Sequence, residues 1–295
     1  MRKIKVATVQ MDSQHDKASN LQKAERLIRE AAGQGAQYVA LPEYFNFVGT
    51  EEQEEANAEY IPDGETVQFL SRLSKELNIW LHGGSMLEKV RGEVKFYNAT
   101  VLFNPQGELV GKYRKIHLFD VEIESGPSYL ESQTKDFGRE VVVCDTDFAK
   151  IGLAICYDIR FPELFRLQSL KGAEILMLPA EFTLYTGRDH WETLLRARAI
   201  ENQAYVIAPG QIGKKPSYQS YGRSMIVDPW GTVIATAADA EMVTVAEIDL
   251  DYVQQIRKQV PSLKKPPARS VFAASFLVCG KIQDNRMREA EPIAA

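Results

Sequence analysis

IGLAICYDIRFPE, residues 151–163, runs from an apolar, β-branched segment through Cys156 into a short polar turn and then Pro162. The apolar run reads as a buried strand. Pro162 stands where a helix can begin, because the first helical position needs no backbone N–H. Strand, sharp turn and helix start in so short a span make an α/β unit. The turn also leaves Cys156 at a strand end, where a thiol faces a cleft on a rigid backbone and nearby N–H groups can meet a developing oxyanion. A buried core cysteine fits that position equally well. Cys144 lies mid-strand with no turn after it and reads as core.

Outward from this unit, short β-branched runs alternate with helical patterns. Ile4 to Gln10, Tyr38 to Leu41 and Trp80 to Met86 read as strands, the last leaving through His82-Gly83-Gly84. Leu21 to Ala32, stopped by Gly33, and Thr66 to Leu77 have helical periodicity. Tyr97 to Phe103 and Leu109 to Tyr113 flank the turn Asn104-Pro105-Gln106-Gly107, a hairpin signal. Val141 to Thr146 and Ile151 to Cys156 read as an antiparallel pair, and Ile175 to Leu178 as a buried strand. Asp189 to Asn202 reads as a helix with capping-box spacing at Asp189 and Glu192. Tyr205 to Pro209, Ser224 to Val227 and Val243 to Ile248 are further strands. No repeat or low-complexity linker interrupts the alternation, so one α/β domain with mixed sheets is predicted. Residues 122 to 140 form a long polar loop, a length that often serves function. Beyond about residue 260 the prolines Pro261, Pro266 and Pro267 predict an extended tail whose apolar stretch, Val271 to Val278, needs a surface to cover.

The 295 residues are 45% hydrophobic and 25% charged, with a net charge of −5. That balance points away from nucleic acid and anionic membranes as partners. No apolar run approaches the roughly 18 residues of a membrane span. The N-terminal MRKIKVATVQMDS alternates like a strand and predicts no signal peptide. Three cysteines, Cys144, Cys156 and Cys279, match no metal-ligand spacing and suit a reducing compartment, so a cytoplasmic location is expected.

A nucleophilic thiol needs a base or a cationic partner. None of the four histidines, His15, His82, His117 and His190, sits in a distinctive setting. Glu43, in ALPEYF, directly follows a buried strand and a proline, at the sheet edge where open α/β folds place their sites. Lys115, in GKYRKIHLFD, follows a strand of the hairpin region. Taken singly, each could be a solvated surface residue.

Taken together, LPE around Glu43, YRKIHLFD around Lys115 and ICYDIRFPE around Cys156 resemble the three signature blocks of the nitrilase (carbon–nitrogen hydrolase) family, in that family's chain order. The resemblance runs from about Ile4 to Pro267 and includes GRDHWE, LLRARAIENQAYV and SMIVDPWGTV. It implies a four-layer α-β-β-α sandwich with two mixed sheets, with residues 1–265 as the catalytic domain and 266–295 as a tail packing at a subunit interface. A homodimer or higher even oligomer, joined through one α face, follows from it, as does catalysis without metal or cofactor. A second glutamate is implied in the loop after the lysine. Glu131 fits that position better than Glu122 or Glu124.

On this resemblance Cys156 is the nucleophile and Glu43 the general base and acid. Lys115 and the Tyr157 N–H hold the oxyanion, and Glu131 orients Lys115. Moving the thiol proton to a glutamate costs roughly 6 kcal/mol between unperturbed groups. Burial of Glu43 and the charge of Lys115 are expected to narrow that gap. YFNFVG, HLFDVEI and YGRSMIVDPWG resemble deaminated glutathione amidases, while KYRKIHLFD and FTLYTG resemble ω-amidases in part. Both imply a small amide with a far carboxylate, for which Arg160 is the candidate receptor unless it braces Asp158 or Glu163. Glu181 departs from the family pattern, and an acid near the cleft would disfavour an anionic substrate. N-carbamoyl hydrolase and nitrilase activities are alternatives within the family, and a non-catalytic binding protein is the alternative outside it.

Overall fold

Along the strand Lys3–Gln10, Ile4 and Val6 face one side and Ala7 and Val9 the other, and both sides are buried. The period-2 alternation repeats in its neighbours: Tyr38 and Ala40 against Val39 and Leu41, Trp80 against Leu81, and Leu102 against Val101 and Phe103. A sheet apolar on both faces must be covered twice. The computed structural model, which describes residues 2–122 and 128–265, shows what covers it.

One face packs on α1 (Lys17–Gly33) and, beyond the short α2 (Glu51–Asn57), on α3 (Glu65–Leu77), through Leu27, Ile28, Val67 and Leu70 among others. Burying each such side chain stabilises the fold by about 1.5–3 kcal/mol relative to exposure. The other face meets a second sheet through Ile151, Leu153, Ile175 and Met177. That sheet's outer side is covered by α4 (Pro162–Leu170) and α5 (Leu184–Asn202), through Leu164, Phe165, Trp191 and Leu195. The result is the expected four-layer α-β-β-α sandwich.

Both sheets are mixed. The first runs Met242–Asp249, Lys3–Gln10, Tyr38–Ala40, Trp80–His82, Phe96–Phe103, Met86–Lys89, Glu59–Tyr60, with Leu109–Arg114 and Lys135–Asp136 also pairing to Phe96–Phe103. The second runs Val143–Asp145, Lys150–Leu153, Ile175–Met177, Tyr205–Ala208, Met225–Val227, Val233–Thr236. Lys150–Leu153, Ile175–Met177 and Tyr205–Ala208 are parallel, so their carboxyl ends open on one edge.

Several local expectations are corrected. α5 starts five residues before Asp189, with Thr183 at its N-cap, so Asp189 and Glu192 are helix interior rather than a capping box. A further helix, α6 (Leu250–Gln259), was not expected. It is capped by the Asp249 side chain and buries Leu250, Val253 and Ile256 at a spacing of three. The loop predicted for residues 122 to 140 contains the strands Ser128–Leu130 and Lys135–Asp136 and the turn Glu131–Gln133. Glu124, the apolar stretch Val271 to Val278, Cys279 and the tail 266–295 lie outside the described residues.

The strand expected over Trp80 to Met86 is two strands, broken after His82. Gly84 reverses the chain with φ +56°. A Cβ there would collide with the Pro42 carbonyl oxygen, which accepts from Ser85 N–H at 3.2 Å. This contact seats the Pro42–Glu43 corner. Gly84→Ala is therefore expected to destabilise the protein by about 3 kcal/mol or more, from the left-handed backbone plus the clash. Urea unfolding that finds less than about 1 kcal/mol would show room at the corner that this geometry denies.

Candidate active site

Glu43 is reached three residues after the strand Tyr38–Ala40, which pairs in parallel on both sides. Lys115 follows directly on Leu109–Arg114, its N–H bonded to the Asn98 carbonyl at 2.8 Å. Cys156 comes from the other sheet. Its strand ends at Leu153 rather than at the cysteine, but the chain stays extended, with Ala154 N–H on Met177 O and Cys156 N–H on Pro179 O at 3.1 and 2.9 Å. The two sheets thus bring their loop ends to one place.

At Cys156 the backbone turns with φ +45°, a left-handed conformation that costs a non-glycine residue about 1–2 kcal/mol. Asp158 holds the turn. Its buried carboxylate accepts from Ile155 N–H (2.8 Å), Tyr113 Oη (2.7 Å), His117 N–H (3.1 Å) and His117 Nδ1 (2.7 Å). His117 also stacks on Phe161 at 3.6 Å between ring centroids, so it braces the turn and does not reach the thiol. His82 is buried, bonded to Gly84 N–H and to Thr100 Oγ1, and burial pushes its pKa down to about 3, which keeps it neutral. Among the described residues no histidine lines the cavity around Cys156.

Glu43, Lys115 and Glu131 are each 2% exposed and lie together. Lys115 Nζ donates to Glu43 Oε1 at 3.1 Å and to Glu131 Oε2 at 2.9 Å. Glu131 also accepts from Phe119 N–H at 2.7 Å and from Tyr44 Oη at 2.8 Å. Glu43 accepts from Asn98 Nδ2 at 2.9 Å and, on Oε2, from Glu181 N–H at 2.7 Å. The Cys156 thiol is within hydrogen-bonding reach of both the Glu43 carboxylate and the Glu181 backbone. Glu43, Tyr44, Lys115, Glu131, Cys156 and Glu181 line one cavity of about 300 Å³, with Tyr129, Tyr157, Arg160, Phe182 and Tyr218 among its walls. Tyr157 N–H makes no hydrogen bond among the described residues. Glu122, on an exposed strand position, does not line it.

Burial works against the Lys115 charge, but attraction to Glu131, Glu43 and Cys156 outweighs it and holds the ammonium well above the usual lysine range. Burial likewise opposes the Glu131 charge, and Lys115 with the Phe119 N–H overcomes it, so Glu131 stays ionised. The thiol goes the other way. Burial and the Glu43 charge raise Cys156 well above the usual range, and Lys115 offsets only part of this. The expected narrowing of the proton gap by Lys115 therefore does not yield a resting thiolate: two carboxylates already engage that ammonium. Cys156 therefore rests as a thiol.

Arg160 lines the cavity over the rings of Tyr157 and Phe182, at 5.6 and 5.5 Å. Both its terminal nitrogens approach His190 Nδ1 at 3.3 Å. Among the described residues no carboxylate pairs with it, and Asp158, one suspected partner, is fully engaged elsewhere. Tyr44, Asn98 and Tyr218 were not singled out from sequence. Only their burial beside the charged group marks them, and no local motif carries that signal.

The carbon–nitrogen hydrolase family model matches residues 5–258. A deaminated glutathione amidase of Synechocystis is 42% identical over 268 residues, 90% of this chain and 98% of that protein. The Xenopus laevis ω-amidase NIT2-B is 45% identical over 262 residues, 88% of this chain and 94% of that one. In structure, Saccharomyces cerevisiae Nit3 of the nitrilase superfamily superposes with a TM-score of 0.82 at 37% identity, covering 89% of this chain and 96% of that one. The chain belongs to the carbon–nitrogen hydrolase family. It is an enzyme of the amidase type, a hydrolase of carbon–nitrogen bonds other than peptide bonds.

Glu181 carries a testable electrostatic signature. Burial first, and Glu43 with it, push its carboxyl from the ordinary 4.5 up to about 7, against the pull of Lys215. Below the ordinary value the folded and unfolded chains both hold the proton, and stability is unaffected. From there to about pH 7 the unfolded chain loses its proton first, so stability falls as pH rises. Glu181→Gln should remove this loss, adding on the order of 1–3 kcal/mol above about pH 7.5 and little near about pH 4. Urea unfolding at the two pH values checks it. An equal effect at both would show that Glu181 ionises normally.

Proposed function

We propose that Cys156 is the nucleophile of a thioester mechanism acting on a small amide that bears a carboxylate. One observation carries the reading: Lys115 Nζ bridges Glu43 and Glu131 at 3.1 and 2.9 Å in the same cavity as the Cys156 thiol. As the thiol sulfur attacks the amide carbonyl, its proton passes to Glu43. The oxyanion that forms is met by the buried Lys115 ammonium and by the Tyr157 N–H, which has no hydrogen-bond partner among the described residues. Glu43 returns the proton to the leaving nitrogen, and ammonia or an amine departs. Glu43 next takes a proton from water, the hydroxide attacks the thioester, and the thiol is restored with the acid product. Glu131, with both oxygens engaged, keeps Lys115 in place rather than acting as a base.

The substrate class rests on the relatives' names and on Arg160. Deaminated glutathione and ω-amides of dicarboxylic acids are small amides with a far carboxylate, and Arg160 supports their recognition as a cavity cation with no acid partner among the described residues. We further infer a homodimer through the α4/α5 layer. The resemblance supports it, as do Leu167, Leu170, Tyr185 and Ile200, which that layer leaves about half exposed. A cytoplasmic setting suits a nucleophile that must stay reduced.

Cys156→Ala is expected to abolish ammonia release from ω-amides, while Cys144→Ala, changed in the core, retains it. Glu43→Gln should accumulate no acyl-enzyme by mass spectrometry. Full acylation of that variant would remove Glu43 as the base, and turnover by Cys156→Ala would end the thioester mechanism.

Arg160→Lys keeps the charge but loses the two-point fork. It should raise KM for a carboxylate-bearing amide by the equivalent of about 1–3 kcal/mol, and less for a neutral counterpart. Equal losses for both would assign Arg160 to bracing the walls.

A further inference from the structure

Three acids line the cavity: Glu43, Glu131 and Glu181. The chemistry proposed above uses the first two. It uses only the backbone of Glu181, whose N–H faces Glu43 and the thiol. The Glu181 side chain is nearly inaccessible, with 4% of it exposed, and lies beside the cavity residues Tyr129 and Tyr218.

Its partners leave the charge poorly matched. Ser220 Oγ donates at 3.0 Å and the Tyr218 hydroxyl also bonds to it, but both donors are neutral. The nearest cation, Lys215 Nζ, is 3.9 Å away and spends its own bonds on Asp12 Oδ1 at 2.9 Å and Ser13 O at 2.8 Å. A buried carboxylate whose cation is distant and shared is costly to hold ionised unless something else compensates it. Burial accordingly lets Glu181 keep a proton near neutrality.

The formal charges of the cavity say what would complete it. Glu43, Lys115 and Glu131 sum to −1 and are bonded to one another. Arg160 adds a positive charge with no acid partner among the described residues, and an ionised Glu181 adds a negative charge matched there only by the 3.9 Å contact to Lys215, which Asp12 holds more closely. The two groups line the same cavity, with Arg160 lying 5.5 Å over the ring of Phe182, which follows Glu181 in the chain. A ligand head with one carboxylate and one ammonium would satisfy both. A ligand with a carboxylate alone would satisfy Arg160 and leave Glu181 protonated or uncompensated.

We propose that Glu181 is a specificity-determining residue whose carboxylate pairs with a protonated amine of the substrate, so that this pocket favours small amides carrying an ammonium as well as a carboxylate. The inference rests on the proposed amidase site at Cys156 for its relation to turnover, but the pairing itself is a binding property. That separates the two in experiment.

L-glutamine and glutaramate form a matched pair of ω-amides that differ only in the ammonium. Their kcat/KM ratio is measured for wild type and for Glu181→Gln, an isosteric change that keeps an acceptor for Ser220 and Tyr218. Glu181→Asp, which keeps the charge, provides a rescue. The ratio of glutamine to glutaramate should fall at least tenfold in Glu181→Gln, through KM rather than kcat, and recover in part in Glu181→Asp. The dissociation constants of the same pair, measured by calorimetry in a Cys156→Ala background, should show the same change. An unchanged ratio in Glu181→Gln, an equal loss for both ligands, or no glutamine binding by the Cys156→Ala protein would overturn the inference. Ammonium-dependent binding that Glu181→Gln abolishes, with no turnover of either amide by wild type, would uphold it and sink the Cys156 reading instead.

Discussion

A lysine ammonium sealed away from water dictates much of this structure. Removing such a charge from solvent costs several kcal/mol, which only close, well-oriented partners can offset. Lys115 has two, Glu43 and Glu131, and those carboxylates in turn draw in Asn98, the Tyr44 hydroxyl and the backbone N–H groups of Phe119 and Glu181. The partners come from the corner after Tyr38–Ala40, the strand Phe96–Phe103, the turn Glu131–Gln133 and the connection after Ile175–Met177. One charged group thus ties loops of both sheets into a single wall. Displacing any of them would leave a buried charge unmatched.

Two backbone constraints complete that wall. Gly84 gives the Pro42–Glu43 corner the space it needs, since any side chain there would strike the Pro42 carbonyl. Asp158 holds Cys156 in a left-handed turn through bonds to Ile155, Tyr113 and His117. The strain is small beside the hydrogen bonds that enforce it, so the thiol has little freedom to leave Glu43. In the proposed mechanism this rigidity lets a neutral thiol act as the nucleophile, with the proposed base already within hydrogen-bonding reach and no resting thiolate required.

Much of the site was legible in local sequence. Cys156 stood out because a strand running into a turn and a helix-starting proline is a pattern of adjacent residues, and Glu43 because a buried strand and a proline precede it. Grouping them with Lys115 and Glu131 required the resemblance, because the spacing between blocks carries no geometry by itself. His117 shows the opposite limit. It sits two residues from Lys115 in sequence, yet Asp158 and Phe161 turn it into a brace. α6 was missed although Leu250, Val253 and Ile256 repeat at helical spacing, because the pattern is short and follows directly on a strand.

By itself, then, the sequence determined the alternation of strands and helices and singled out Cys156 and Glu43 as candidates for the site, since each depends on neighbours within a few residues. The protonation states were decided only by tertiary structure. Lys115 stays charged because Glu131 and Glu43 face it, Cys156 stays a thiol because it is buried beside Glu43, and Glu181 rises to about 7 because burial, with Glu43 beside it, outweighs the pull of Lys215. Each outcome balances desolvation against charges brought from distant parts of the chain, a balance that exists only once the two sheets have packed.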